Sequence, residues 1–319
     1  MAVAWVFPGQ GSQAVGMGRD LFELSSAARN TFIQADETLG IALSQLCFNG
    51  PEEQLTATEY AQPALLTVST ALMRAVEELG GAPEALRPQA VAGHSLGEYS
   101  ALVASGALDF PTALRLVRRR GELMATAHEG AMAAVIGLDA EVLERICAEV
   151  SETLQLRAET ASTVVIANYN APGQLVISGG ALAIEHVTLL AKERGAKRVL
   201  PLRVSAAFHS PLMINAAEGM ARVIASVQVN DLQIPLIANV NAEPLTRSED
   251  IQREMVSQVV APVRWIATIE QMASMGISTF VEIGPGKVLT GLIKRIMPEA
   301  QLINVSTAVE VQAFARGNL

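Results

Sequence analysis

Apolar residues recur in two rhythms along this 319-residue chain, and the two alternate. Short unbroken apolar runs at 3–7 and 90–93 read as strands buried on both faces. Between them, from Pro63 to Leu79, the apolar positions follow helical spacing. Strands that alternate with helices imply an α/β fold layered around a parallel sheet. The middle of the chain changes order. Residues 131–137 predict a strand, 140–150 a helix and 164–168 a strand. The turn Ala171-Pro172-Gly173-Gln174 leads to a strand at 175–178, a helix at 182–194 and a strand at 197–202. That order, βαββαβ, is ferredoxin-like. The expected organisation is a small domain at 129–197 inserted into a larger α/β domain made of 1–128 and 198–319. No internal repeat or low-complexity tract interrupts it.

Half of the residues are apolar, enough for a large core. No run reaches the length needed to span a membrane, and the first residues lack the basic start and cleavage site of a signal peptide. Cys47 and Cys147 are the only cysteines, with neither metal-ligand spacing nor a disulfide framework, so a reducing cytoplasm is expected. The formal charge of −9 argues against nucleic acid as a partner.

The segment Ala90-Val91-Ala92-Gly93-His94-Ser95-Leu96-Gly97-Glu98-Tyr99 carries a G-x-S-x-G motif. A strand before it and a helix after it are the setting of a nucleophile elbow rather than of a plain structural turn. In that setting the serine hydroxyl is lifted clear and the first helical amides face a developing oxyanion. A serine nucleophile needs a base. His94 adjoins Ser95 and projects away from its hydroxyl, His128 lies in a charged segment, and His186 sits beside Glu185 on a helix as a solvated residue. His209 follows a strand read as 198–204, and the carboxyl ends of strands are where catalytic groups gather. No Asp or Glu stands out as a third member, which leaves a backbone or amide oxygen to orient the imidazole.

On a helix starting near Phe110-Pro111, Arg118 and Arg119 both meet Arg115 and Glu122, a solvated face. Arg120 instead meets Leu116, Val117, Leu123 and Met124 and points inward. A buried guanidinium calls for an anion, either a structural carboxylate or a substrate's. Pro8-Gly9-Gln10-Gly11-Ser12-Gln13-Ala14 formally matches the G-x-G-x-x-A dinucleotide fingerprint, without the acidic second strand that the fingerprint requires. The alternative is a loop that offers backbone amides to an oxyanion. Glu282-Ile283-Gly284-Pro285-Gly286-Lys287 reads as a structural turn.

Together these motifs resemble the malonyl-CoA:acyl carrier protein transacylase family over nearly the whole chain. The resemblance also rests on Arg120-Gly121, Asn168-Tyr169-Asn170-Ala171-Pro172-Gly173-Gln174, Phe208-His209 and Pro262-Val263-Arg264-Trp265. It implies an α/β-hydrolase-like core with an inserted ferredoxin-like subdomain. It implies Ser95 as nucleophile and His209 as base, with oxyanion-hole amides from Gln10 and Leu96. Arg120 would clamp the malonyl carboxylate, and the main-chain carbonyl of Gln258 would orient the histidine. The implied substrates are malonyl-CoA and acyl carrier protein, in fatty acid biosynthesis, with no metal or other cofactor and a monomeric enzyme. Ala207-Phe208-His209 looks closer to the malonyl-selective acyltransferases of polyketide systems. The carrier therefore stays open between fatty acid, polyketide and malonate-decarboxylase types. Outside the family, a serine esterase or thioesterase would share Ser95 and His209 without a use for Arg120, and a dinucleotide-binding module would use Gly9 and Gly11.

Overall fold

The computed structural model describes residues 2–127, 130–157, 162–204 and 206–318. In chain order the strands are β1 (Ala2–Phe7), β2 (Ala90–Gly93), β3 (Ala131–Ile136), β4 (Val164–Ala171), β5 (Gln174–Gly179), β6 (Arg198–Pro201), β7 (Leu236–Ile237), β8 (Pro244–Leu245), β9 (Ile277–Ile283) and β10 (Gln301–Val305). They form two sheets. The larger runs β10-β9-β1-β2-β7-β8, parallel except for the β7–β8 edge pair. Its central strands are apolar on both faces because helices cover both sides. One core cluster holds Val3, Phe7 and Val91, and another on the opposite face holds Ala4, Val6 and Phe280.

The smaller sheet is antiparallel, in the order β4-β5-β3-β6, the ferredoxin-like arrangement. Helices Ala140–Leu156 and Ala181–Glu193 close its face, burying Leu143, Ile146 and Val187 against Val135, Ile166 and Ile177. The expected boundary at 197/198 cuts this unit one strand short. β6 pairs with β3 from Val199 against Val135 to Pro201 against Ala133, so the small sheet runs to Pro201. This strand is the last β of the βαββαβ order read from the sequence, which the boundary at 197 leaves out. The other expected boundary, 128/129, and His128 with it, lie outside the described residues.

Two helices set up the site. Thr58–Glu78 begins five residues before the predicted start, so Pro63 is internal. Proline has no N–H to give to the carbonyl of Glu59, four residues back. Arg118 fills the vacancy, donating from Nη1 to the Glu59 oxygen at 2.9 Å. Helix Phe110–Ala125 starts at Asp109, whose carboxylate accepts the Thr112 N–H at 2.7 Å, with Pro111 in the first turn. Gly121 lets it press on its neighbour. A Cβ there would lie 2.7 Å from Glu59 Cα and 2.8 Å from the Thr58 oxygen.

Candidate active site

β2 ends at Gly93 and the next helix, Gly97–Ala104, begins four residues later. The turn between them is tight enough to exclude side chains. A Cβ at Gly93 would lie 1.9 Å from the Gly97 carbonyl carbon, and one at Gly97 2.0 Å from the Phe7 oxygen. Ser95 sits at the tip with φ of 51°, a left-handed conformation that costs a non-glycine residue about 1–3 kcal/mol.

The loop after β1 packs directly on this elbow, because Gly9 leaves room where a Cβ would lie 2.3 Å from the His94 oxygen. From behind, Gly284 abuts Pro8, where a Cβ would come within 2.4 Å of the proline ring. The turn at 284–286 is itself held by buried Glu282. Its carboxyl accepts the N–H groups of Leu289 and Thr290, at 2.9 and 2.7 Å, and caps helix Val288–Ile296. The two glycine-rich turns thus place Gln10 beside Ser95. The backbone N–H groups of Gln10 and Leu96 have no hydrogen-bond partner among the described residues, and both residues line one cavity. The dinucleotide fingerprint fails on its context: the first helix starts only at Arg19, so no helix N-terminus follows the glycines to seat a pyrophosphate.

His209 is 4% exposed and also has a positive φ, 57°. Its Nε2 lies 2.7 Å from Ser95 Oγ. Its Nδ1 lies 2.8 Å from the Gln258 carbonyl oxygen and 3.1 Å from that of Ala261. Carbonyls only accept, so Nδ1 carries the hydrogen and Nε2 is left as the acceptor for the serine proton. Burial, and then the Arg120 cation, push the imidazole pKa down to about 3. The ring is therefore neutral and competent as a base at physiological pH.

Arg120 is 1% exposed. Its Nη1 donates to Gln62 Oε1 at 2.9 Å. Its Nη2 donates to Gln258 Oε1 at 2.8 Å and to Ser95 Oγ at 3.2 Å. The inward-facing guanidinium expected from spacing is present, but no carboxylate among the described residues bonds to it. Two neutral amide oxygens hold it instead, and Nε has no partner. Arg118 and Arg119 stay outside, paired with Glu122 at 2.8 and 3.3 Å.

Spacing gave no hint of the layer beneath. Asn239 accepts the Ser95 N–H at 2.7 Å and donates to the Gly93 oxygen at 2.7 Å. Gln62 belongs to a helix read only as core. Asn170 Oδ1 sits 2.7 Å from His94 Nε2, turning that imidazole away from the serine and towards Trp265. The cavity over Ser95 has a volume of about 300 Å³, and Met132 and Asn168 of the small sheet form part of its wall. Gly11, Gln13, Thr56, Leu202 and Arg203 also line it. Among the described residues there is no group of His, Cys, Asp or Glu arranged to hold a metal ion, and no helix long and apolar enough to cross a membrane.

A nucleophile-like serine, a buried base and free amides are shared by several hydrolase and transferase types. The deciding observation is that the family model described as "Acyl transferase domain" matches residues 4–314. The chain belongs to this acyl transferase family. The acyltransferase is similar to the malonyl CoA-acyl carrier protein transacylase of Bacillus subtilis (strain 168), at 48% identity over 307 residues, 95% of this chain and 93% of the relative. The solved acyl-carrier-protein-S-malonyltransferase from Bartonella henselae matches with a TM-score of 0.93 at 45% identity, over 100% of this chain and 99% of that one. A malonyl-transacylase solved in complex with a type II PKS acyl-carrier protein matches with a TM-score of 0.93 at 41% identity, over 100% of both chains.

Proposed function

We propose that this acyltransferase moves a malonyl group from malonyl-CoA to the phosphopantetheine thiol of an acyl carrier protein, supplying fatty acid biosynthesis. The observation that carries the reading is a buried arginine 3.2 Å from a serine hydroxyl that is itself 2.7 Å from a neutral imidazole. That arrangement suits an acyl group ending in a carboxylate. His209 Nε2 takes the Ser95 proton as Oγ attacks the thioester carbonyl. The Gln10 and Leu96 N–H groups receive the oxyanion. The carbon–sulfur bond breaks, and His209 returns its proton to the CoA sulfur. Arg120 keeps the malonyl-serine by its free carboxylate. The carrier thiol then gives its proton to His209 and attacks the ester, and Ser95 leaves with that proton. Acyl exchange of this kind conserves electrons and requires neither metal nor redox cofactor. A monomer in the cytoplasm fits the reading.

The test is intact-mass spectrometry after mixing with malonyl-CoA, and with acetyl-CoA for comparison. A malonyl adduct that Ser95→Ala abolishes, and that transfers to added carrier, is the expected result. An adduct on Ser95→Ala would mean that the nucleophile is another residue. A second reading, loading of a polyketide carrier, draws on the similar transacylase solved with a type II PKS carrier. Comparing kcat/KM for fatty acid and polyketide carriers separates the two.

A further inference from the structure

Glu98 stands three positions after Ser95, in the first turn of the helix that leaves the elbow, and is 1% exposed. Among the described residues no cation is hydrogen-bonded to it. One carboxyl oxygen accepts the Asn239 backbone N–H at 3.0 Å, and the other meets the side-chain amide of Gln258. A carboxyl taken out of water, with amides as its hydrogen-bond donors and the Glu254 carboxyl beside it, is costly, and an apolar residue would fill the same space more cheaply. What its two partners do accounts for it. Asn239 grips the elbow on both sides of the serine, at the Ser95 N–H and the Gly93 oxygen. Gln258 donates to the Ser95 oxygen at 3.0 Å, accepts from Arg120, and offers its main-chain carbonyl to His209. Glu254 braces the same assembly: its side chain accepts the Val240 N–H at 3.0 Å, and its carbonyl accepts the Gln258 N–H at 2.8 Å.

We propose that Glu98 is a positioning residue for acyl transfer, tying Asn239 and Gln258 into one frame that sets nucleophile, base and guanidinium relative to one another. The proposal rests on the function argued above and adds a residue to it. The Glu98 backbone N–H donates to the Ser95 carbonyl at 3.1 Å, as in any helix start, but its side chain touches none of the three reacting or binding groups, so the carboxyl acts through Gln258 and Asn239. Glu98→Gln keeps the shape but replaces one acceptor by an NH2 group. The new amide then faces a donor at either Gln258 or Asn239, and one of the two must move.

The experiment measures the rate constant of Ser95 acylation at saturating malonyl-CoA, together with KM and thermal unfolding. The proteins are wild type, Glu98→Gln, Gln258→Ala and the double variant. A misplacement of about 1 Å costs about 10²-fold in rate. The expected result for Glu98→Gln is a ~10- to ~100-fold loss in the saturated rate constant, with KM changed far less. In the Gln258→Ala background the same substitution should cost much less, because the two residues act as a unit. A fluorophosphonate, which needs Ser95 and His209 but not Arg120, should label Glu98→Gln more slowly as well. A folded Glu98→Gln protein within ~2-fold of wild type overturns the proposal, as do losses that multiply fully in the double variant. Should Glu98→Gln not fold, Glu98→Asp withdraws the acid by one methylene, and a rate near wild type again overturns it. Wild-type protein that reacts with fluorophosphonate but gains no malonyl adduct would instead refute the malonyl reading and leave the positioning role standing on the fluorophosphonate rates.

Discussion

Removing the guanidinium of Arg120 should change what the enzyme accepts more than how well it folds. In the free enzyme both terminal nitrogens of Arg120 are committed: Nη1 to Gln62, Nη2 to Gln258 and Ser95. Arg120→Ala leaves the Gln62 and Gln258 amide oxygens without donors, a cost of about 1–3 kcal/mol each. The unfolding temperature should therefore fall. In the substrate complex the variant also leaves a malonyl carboxylate in a buried cavity with no partner. Breaking such a pair from one side costs about 3–5 kcal/mol. At about 1.4 kcal/mol per decade that is a loss of roughly 100- to 4,000-fold in kcat/KM for malonyl-CoA. Acetyl-CoA has no carboxylate, so it bears only the smaller loss from any shift of Gln258. The ratio of the two kcat/KM values cancels both the unfolded fraction and that shift. It should fall by two or more decades in Arg120→Ala and recover partly in Arg120→Lys, whose ammonium cannot reproduce the planar fork. Stopped reactions followed by intact-mass quantification give both constants. A ratio unchanged from wild type in Arg120→Ala would show that Arg120 serves the fold and that selectivity arises elsewhere.

Four further expectations follow from the same geometry. Arg120 is, after burial, the main cause of the low His209 pKa, so Arg120→Ala should move the acid limb of the pH–rate profile for acetyl-CoA upward; an unmoved limb would refute the coupling. Between pH 6.5, the ordinary value for the imidazole, and about 3, the unfolded chain takes up a proton at His209 that the folded chain refuses. Stability is therefore lost as pH falls through that window. The slope in urea unfolding should be shallower in His209→Ala by up to about 1.4 kcal/mol per pH unit, and equal slopes would count against a buried neutral imidazole. Gly121→Ala should destabilise by about 1–3 kcal/mol, read by thermal unfolding, because its Cβ would press on the Glu59 backbone; a neutral result would mean that the helices part freely. Charge reversal in the exposed clusters Lys192, Arg194, Lys197 and Arg198, or Lys287, Lys294 and Arg295, should raise KM for an acidic carrier without slowing malonyl labelling. If neither reversal does so, the carrier docks on another surface.

The layered architecture and the elbow were legible because local patterns specify them. Strand runs, helical spacing and two glycines around a serine need no knowledge of distant chain. His209 and Arg120 were legible for similar reasons, one by its place after a strand and the other by falling on an apolar stripe. What local pattern could not supply was long-range pairing. The partner of Ser95 N–H is Asn239, 144 residues away, and that of Arg120 Nη1 is Gln62, 58 residues back. Nothing near either residue marks it. The boundary of the small unit is a different case: the βαββαβ order already counts the strand at 197–202 as its last member, a boundary at 197 leaves that strand out, and its pairing with β3 carries the unit to Pro201. The early start of helix Thr58–Glu78 was hidden because Pro63 reads as a first-turn residue. Arg118, from another helix, satisfies the carbonyl that the proline leaves open.

Among the described residues only Ser95, His209 and Ala242 adopt positive φ without being glycine. Two are the proposed nucleophile and base, and the third closes the turn whose first residue but one is Asn239, with its N–H on the Ala238 oxygen at 3.1 Å. Glycine at position 95 would relax the backbone by about 1 kcal/mol or more, offset in part by a freer unfolded chain, whereas at 209 it would also remove a buried ring and the donor to the Gln258 and Ala261 carbonyls. A library screened for heat resistance alone would accordingly tolerate or enrich glycine at position 95, where the proposed chemistry needs a hydroxyl. The best sequence for this fold and the best sequence for the proposed reaction part at that residue, and thermostabilisation of the enzyme has to exclude residue 95 from its search.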